Sequence, residues 1–122
     1  MIDTINLQYI DVFDEHKTKN LVFSRNLLTS DFKEASLFPL LVDGESMQPV
    51  INHRAVIVAD LSQKLLIDKA IYVLYHEAKM WVKKYDLRSK SFVSINPKYS
   101  HLVYAQDDVH LVARVLITFT NL

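Results

Sequence analysis

Ala70-Ile71-Tyr72-Val73-Leu74-Tyr75-His76-Glu77-Ala78-Lys79-Met80-Trp81-Val82-Lys83-Lys84-Tyr85 holds two runs rich in β-branched and aromatic side chains, Ala70–Tyr75 and Met80–Tyr85, around a short polar gap. Such side chains suit a pleated, half-buried surface, and His76–Lys79 is short enough to close a hairpin. Similar runs lie on both sides: Leu37–Val42 and Ala55–Ala59 before it, Phe92–Ile95 and Leu111–Phe119 after it. Six strands at close spacing predict a mainly β fold of antiparallel ribbons with little helix, a β core over 37–122. Leu61–Leu66 is a loop or one helical turn. Residues 1–36 are more polar and read as an amino-terminal arm of the same single domain. Within the arm Ile5–Val12 alternates like a strand and Asp14–Asn20 reads as a charged loop. Asn26–Ala35 can hold a short helix, with Asp31 and Glu34 spaced as an N-cap and its N3 partner.

The 122 residues, half of them apolar, suffice for one core without staples. The absence of Cys excludes disulfides and thiolate metal sites and agrees with a cytoplasmic setting. Five scattered His show no ligand spacing, so neither a metal nor a cofactor is expected. With 14 basic and 14 acidic residues the chain has no general basic face for phosphates, and any link to DNA is expected to be indirect. The apolar runs fall far short of a bilayer span, and Met1–Leu7 carries Asp3 where a signal peptide would carry Lys or Arg. No membrane association is expected.

A single Gly stands where average usage, about 7 %, would give roughly eight or nine. Gly44 lies in Val42-Asp43-Gly44-Glu45-Ser46-Met47-Gln48-Pro49, just after an apolar run, and there it predicts a tight turn presenting Glu45-Ser46-Met47. A serine on such a turn has an exposed hydroxyl and backbone N–H groups nearby that can stabilise an oxyanion, so Gly44 and Met47 belong to the candidate site as turn and oxyanion residues. Taken alone, the turn is an ordinary polar one. A nucleophile also needs a base. Strand alternation puts Trp81, Lys83 and Tyr85 on one face, so Lys83 sits between two large aromatics. An ammonium desolvated there loses basicity, and the neutral amine can take a proton from a serine hydroxyl; the bland alternative is a lysine with its head in water. A Ser-His-Asp set stays open. Ser30-Asp31-Phe32-Lys33 also fits a Ser-x-x-Lys pattern, but the companion motifs of the penicillin-recognising enzymes are missing.

Five segments in order then resemble a known family: Val42–Pro49, Ala55–Asp60, Ile71–Leu74, Trp81-Val82-Lys83-Lys84 and Ser94-Ile95-Asn96-Pro97-Lys98-Tyr99. Together they look like the carboxy-terminal domain of LexA and of LexA-like phage repressors, whose fold the membrane-bound signal peptidases share. The resemblance covers roughly Val22 to Thr118 and is specific as an ordered set. It implies Ser46 as nucleophile and Lys83 as general base. It also implies a domain that pairs with a second copy. DNA would be met only through a separate helix-turn-helix domain absent from this chain.

The departures are informative. Relatives carry Asp-Gly-Asp where this chain has Asn52-His53-Arg54, and Asp-Gly where it has Asp68-Lys69; Asn52 or Asp68 is expected to take the left-handed conformation instead. The self-cleaving relatives present Ala-Gly or Cys-Gly in the arm, whereas Tyr9–Lys17 contains neither. Two functions from different classes therefore stand. One is the dimerisation and regulatory domain of a LexA-like or phage-repressor-like transcription regulator, with the dyad little used, which the resemblance favours. The other is an active Ser-Lys endopeptidase that cuts a partner protein, or itself at an atypical bond. The last strand bears on pairing. Leu111, Ala113, Val115, Ile117 and Phe119 alternate with Val112, Arg114, Leu116 and Thr118, so both faces are largely apolar. A covering by a second copy, in a homodimer, or a central place in the sheet would explain it.

Overall fold

The computed structural model describes residues 3–121; Met1, Ile2 and Leu122, at the outer ends of the expected arm and core, lie outside the described residues. Among the described residues nine strands form two antiparallel sheets, as the mainly β composition predicts. β1 (Thr4–Asp11) and β2 (Lys17–Ser24) make a separate hairpin. The larger sheet comprises β3 (Leu37–Leu41), β4 (Val56–Asp60), β5 (Ile71–His76), β6 (Lys79–Asp86), β7 (Ser91–Val93), β8 (Tyr104–Ala105) and β9 (His110–Phe119). Their spatial order is β3-β4-β9-β5-β6-β7-β8. No helix among the described residues is long and apolar enough to cross a membrane.

The β5–β6 hairpin pairs His76 with Lys79, leaving Glu77-Ala78 as a two-residue turn. Both turn residues take positive φ, 51° and 63°, the backbone a type I′ connection requires. The arm differs from expectation in two places. Asp14–Asn20 is not a loop: from Lys17 on it is strand, and the reversal is confined to a turn in which Glu15 and His16 take positive φ. Nor does Asn26–Ala35 form an α-helix; only 3-10 turns appear, at Arg25–Leu27 and Glu34–Ser36. The cause is long-range. The buried Asp60 carboxylate accepts the Lys33 amide at 3.0 Å, Gln63 Nε2 donates to the Asp31 carbonyl, and Arg25 pairs with Glu34. These contacts spend the groups that a capping box would use.

Three apolar clusters hold the fold. Ile5 and Phe23 of the first hairpin bury themselves against Leu37 and Val58, fastening the arm to the main sheet. Each side chain so buried contributes about 1.5–3 kcal/mol. A second cluster joins Met47 and Ile51 of the β3–β4 connection to Ile57, Val73 and Ala113, and so seats the Ser46 turn on the sheet. The third packs Tyr72, Leu74, Tyr85 and Phe92.

β9 lies at the centre, bonded to β4 on one side and β5 on the other. Its pairing skips Leu116 opposite Val58–Ala59 and Val112 opposite Val73–Leu74. Each extra residue exchanges the faces of those that follow, so a central, twice-bulged strand accounts for apolar residues at both parities. The left-handed positions are also placed differently from expectation. Arg54 (φ 69°) and Lys69 (φ 68°) take them, not Asn52 and Asp68. Local ladders dictate this. Arg54 N donates to Val42 O and Val42 N to Ala55 O, both at 2.8 Å, while Lys69 N donates to Tyr85 O and Tyr85 N to Ala70 O at the same distance.

Candidate active site

Ser46 sits in the β3–β4 connection on a tight reversal. Gly44 has φ 133°, a conformation L side chains rarely adopt, and its amide donates to His53 Nδ1 at 2.9 Å. After it the chain coils once. Gln48 N donates to Glu45 O at 3.2 Å, and Val50 N and Ile51 N to Met47 O at 3.1 and 2.9 Å. The amides of Ser46 and Met47 open this coil and donate no backbone hydrogen bond among the described residues, as first-turn amides do. The buried Met47 side chain anchors the coil in the core.

Asn96 fastens the same turn from the opposite side. Its amide donates to Ser46 O and its side-chain Nδ2 to Glu45 O, both at 2.9 Å. Its Oδ1 accepts the Lys98 amide at 3.1 Å and so caps the 3-10 turn Pro97–Tyr99. One asparagine therefore couples the two motifs.

Lys83, on β6, is 0 % exposed. Its Nζ lies 2.7 Å from Ser46 Oγ and 3.1 Å from Ser94 Oγ, and 5.7 Å from the centre of the Trp81 ring. No carboxylate forms a salt bridge with it among the described residues. Burial therefore acts unopposed and pushes the Lys83 ammonium down from 10.5 to about 8. About a tenth of the amine is then neutral at pH 7, against less than one part in a thousand for a solvated lysine.

A cleft of about 370 Å³ opens over Ser46. Its walls are largely apolar: Val12 from the tip of the first hairpin, Leu40 from β3, Met80 and Trp81 from β6, and Tyr99 and Leu102 beyond β7. Ser46 itself is half-buried in the lining of this cleft.

Of the residues singled out from sequence, Ser46 and Lys83 come together, and Met47 and Gly44 shape the turn between them. Ser30 and Lys33 stand apart, with Lys33 tied to Asp60. Three contributors were not singled out by their chemistry: Ser94, Asn96 and His53. The Asn96-Pro97 pair carries a turn-and-cap signal, but nothing local to Ser94 or His53 announces a partner 11 or 9 positions away. Among the described residues no group of His, Asp and Glu has the makings of a metal site.

No curated protein matches the chain by sequence. A serine on a glycine turn, a buried lysine at hydrogen-bonding distance and an antiparallel β scaffold agree with a family match over residues 2–116, by which the chain belongs to the peptidase S24-like family of LexA/signal-peptidase-type Ser-Lys peptidases.

Proposed function

We propose that the chain is the carboxy-terminal core of a LexA-like or phage-repressor-like transcription regulator and that its Ser46–Lys83 dyad is competent to cut a peptide bond. One observation carries the catalytic part: a buried lysine with no acidic partner among the described residues, 2.7 Å from a serine hydroxyl. Neutral Nζ accepts the Ser46 proton as Oγ attacks the carbonyl carbon of an extended segment in the cleft. The Ser46 and Met47 amides, which donate no backbone hydrogen bond among the described residues, serve as the donors to the developing oxyanion. The Lys83 ammonium then returns its proton to the leaving amine, and the Lys83 amine so regenerated takes a proton from a water molecule, which attacks the acyl carbon and releases it from Ser46. Ser94 Oγ holds Nζ from a second side and so orients its lone pair.

The bond cut belongs to a partner protein or to an atypical position in the chain itself, since the usual Ala-Gly or Cys-Gly pair is missing. Labelling with a fluorophosphonate tests the dyad. Ser46 is expected to carry the adduct by mass spectrometry, and Lys83→Met to prevent it. Labelling that survives Lys83→Met would sink the mechanism.

The regulatory part includes a homodimer in the cytoplasm and DNA contact through a separate helix-turn-helix domain. Pairing is supported by the family resemblance, because the central place of β9 already accounts for its two apolar faces. Sedimentation at micromolar concentration decides it: a species of monomer mass alone would end the dimer proposal.

A further inference from the structure

The segment that replaces the relatives' Asp-Gly-Asp puts an imidazole on the Ser46 turn. His53 Nδ1 accepts the Gly44 amide at 2.9 Å, two residues before the nucleophile. To accept, Nδ1 must be unprotonated. The Asp43 carboxylate stands on the same side, with Oδ1 3.9 Å from Nδ1. The ring is thus placed between a donor it can hold only when neutral and an acid it can pair with only when charged.

From the first hairpin, Phe13 meets the His53 ring edge-on at 5.1 Å, and the Arg54 guanidinium lies 4.5 Å from the centre of the Phe13 ring. Asp11, Asp14 and Lys19 surround the neighbouring cavity that Arg54 lines. Asp43 lies beside the ring, and Arg54 is set against the Phe13 that the ring meets. Asp11 and Asp14 are engaged with Lys19.

We propose that His53 is a positioning residue for Ser46: the neutral imidazole holds the Gly44 amide and with it the nucleophile turn, and protonation transfers the ring to Asp43 and releases the turn. This rests on the peptidase proposal for its catalytic consequence, but its structural half can be read without any activity. Gly44 has the left-handed φ and no hydrogen-bonded strand neighbour of its own, so the His53 contact is the restraint on its amide. Losing one such hydrogen bond is expected to lower the reactivity of Ser46 about fivefold. The acid limb of the reaction then has two origins, the ionisation of Lys83 and that of His53.

Because the chain holds a single glycine, glycine-selective ¹⁵N labelling yields one amide resonance, that of Gly44. Its shift should pass through a step as the pH falls and the imidazole takes up its proton. In H53N, whose Oδ1 takes the place of Nδ1 as acceptor and does not titrate, that step should vanish. H53Q, whose oxygen lies too far out, should lose the contact at every pH. In parallel, fluorophosphonate labelling of Ser46 should fall by more than tenfold per pH unit at the acid end in the native chain. In H53N it should fall by no more than the tenfold that Lys83 alone allows, and H53N should recover most of the loss seen in H53Q. A Gly44 resonance without a step, or with a step that persists in H53N, overturns the proposal, as does equal labelling in H53N and H53Q. If Ser46 takes no label at any pH the peptidase proposal fails, and the Gly44 resonance still decides whether His53 holds the turn.

Discussion

The Asn96 amide donates to the carbonyl oxygen of Ser46 at 2.9 Å, so the backbone at Ser46 is pinned by a residue of the later Ser94–Tyr99 motif. A second bond, from Asn96 Nδ2 to Glu45 O, holds the preceding peptide as well. Ser46 Oγ is thereby aimed at Lys83 by contacts on two sides of the cleft.

Asn96→Ala removes the side-chain bond to Glu45 and the cap on Lys98, and leaves the backbone bond to Ser46 in place. The expected cost is about 1–2 kcal/mol of stability, with labelling of Ser46 reduced about tenfold. A fluorophosphonate time course beside a thermal melt checks both. An unchanged labelling rate with a lowered melting point would show that Asn96 serves the fold alone.

Lys83 makes reactivity and stability depend on pH in the same direction. Its ammonium persists to about pH 10.5 in the unfolded chain but only to about 8 in the folded one. Between those values the unfolded chain binds more protons, so stability rises with pH across the window and is lowest below 8. The swing is on the order of 3 kcal/mol. Labelling of Ser46 should climb with pH and level off above about 8. Lys83→Met keeps the volume and removes the buried charge, so it should abolish labelling yet raise the melting point at pH 7. That gain should disappear near pH 10.5, where the native lysine is neutral and still bonded to Ser46 and Ser94. A variant less stable than the native chain at pH 7 would show that the ammonium is better solvated than its burial implies.

What could be read from sequence follows the range of the interactions. The hairpin Ala70–Tyr85 was legible because alternation and turn length are local, and the structure reproduces it with His76 and Lys79 added to the strands. Lys83 was legible as a desolvated amine because Trp81 and Tyr85 flank it at period 2. Asn26–Ala35 misled because Asp60, 27 positions beyond Lys33, claims an amide that a helix would have used. For β9 the central place in the sheet was one of the two explanations legible from its apolar faces, but its bulges were not, because a bulge is invisible to a count of alternate residues, and Leu116 and Val112 each shift the count by one. Arg54 and Lys69 take positive φ without any of the usual residue signals, since the ladders on either side dictate the conformation.

The isolated chain should not cut itself at neutral pH. Tyr9–Asp11 and Lys17 are paired in the β1–β2 ladder, and only the tip between them projects, with Val12 lining the cleft wall. Feeding that tip to Ser46 as an extended substrate requires opening the ladder, and the tip lacks the small residue pair the relatives present. Prolonged incubation at pH 9 followed by intact-mass measurement should show one species. A Ser46-dependent fragment ending inside Tyr9–Lys17 would prove the tip to be a substrate.

Ala78→Gly should stabilise the fold. Ala78 is exposed and takes φ 63° at the second position of the β5–β6 turn, where a side chain gains nothing from packing and its Cβ crowds the following carbonyl. That conformation costs an L-residue about 1–2 kcal/mol and glycine almost none. Against this stands the extra freedom glycine gives the unfolded chain, about 0.5–1 kcal/mol. The balance favours glycine by about 0.5–1 kcal/mol, a rise of roughly 2–5 °C in melting temperature for a domain of this size. Because β6 carries Lys83, the same substitution should leave the pH midpoint of Ser46 labelling where it is. A lowered melting temperature in Ala78→Gly would mean that the turn is not of the type I′ kind, and that the register pairing His76 with Lys79 is set by the strands alone.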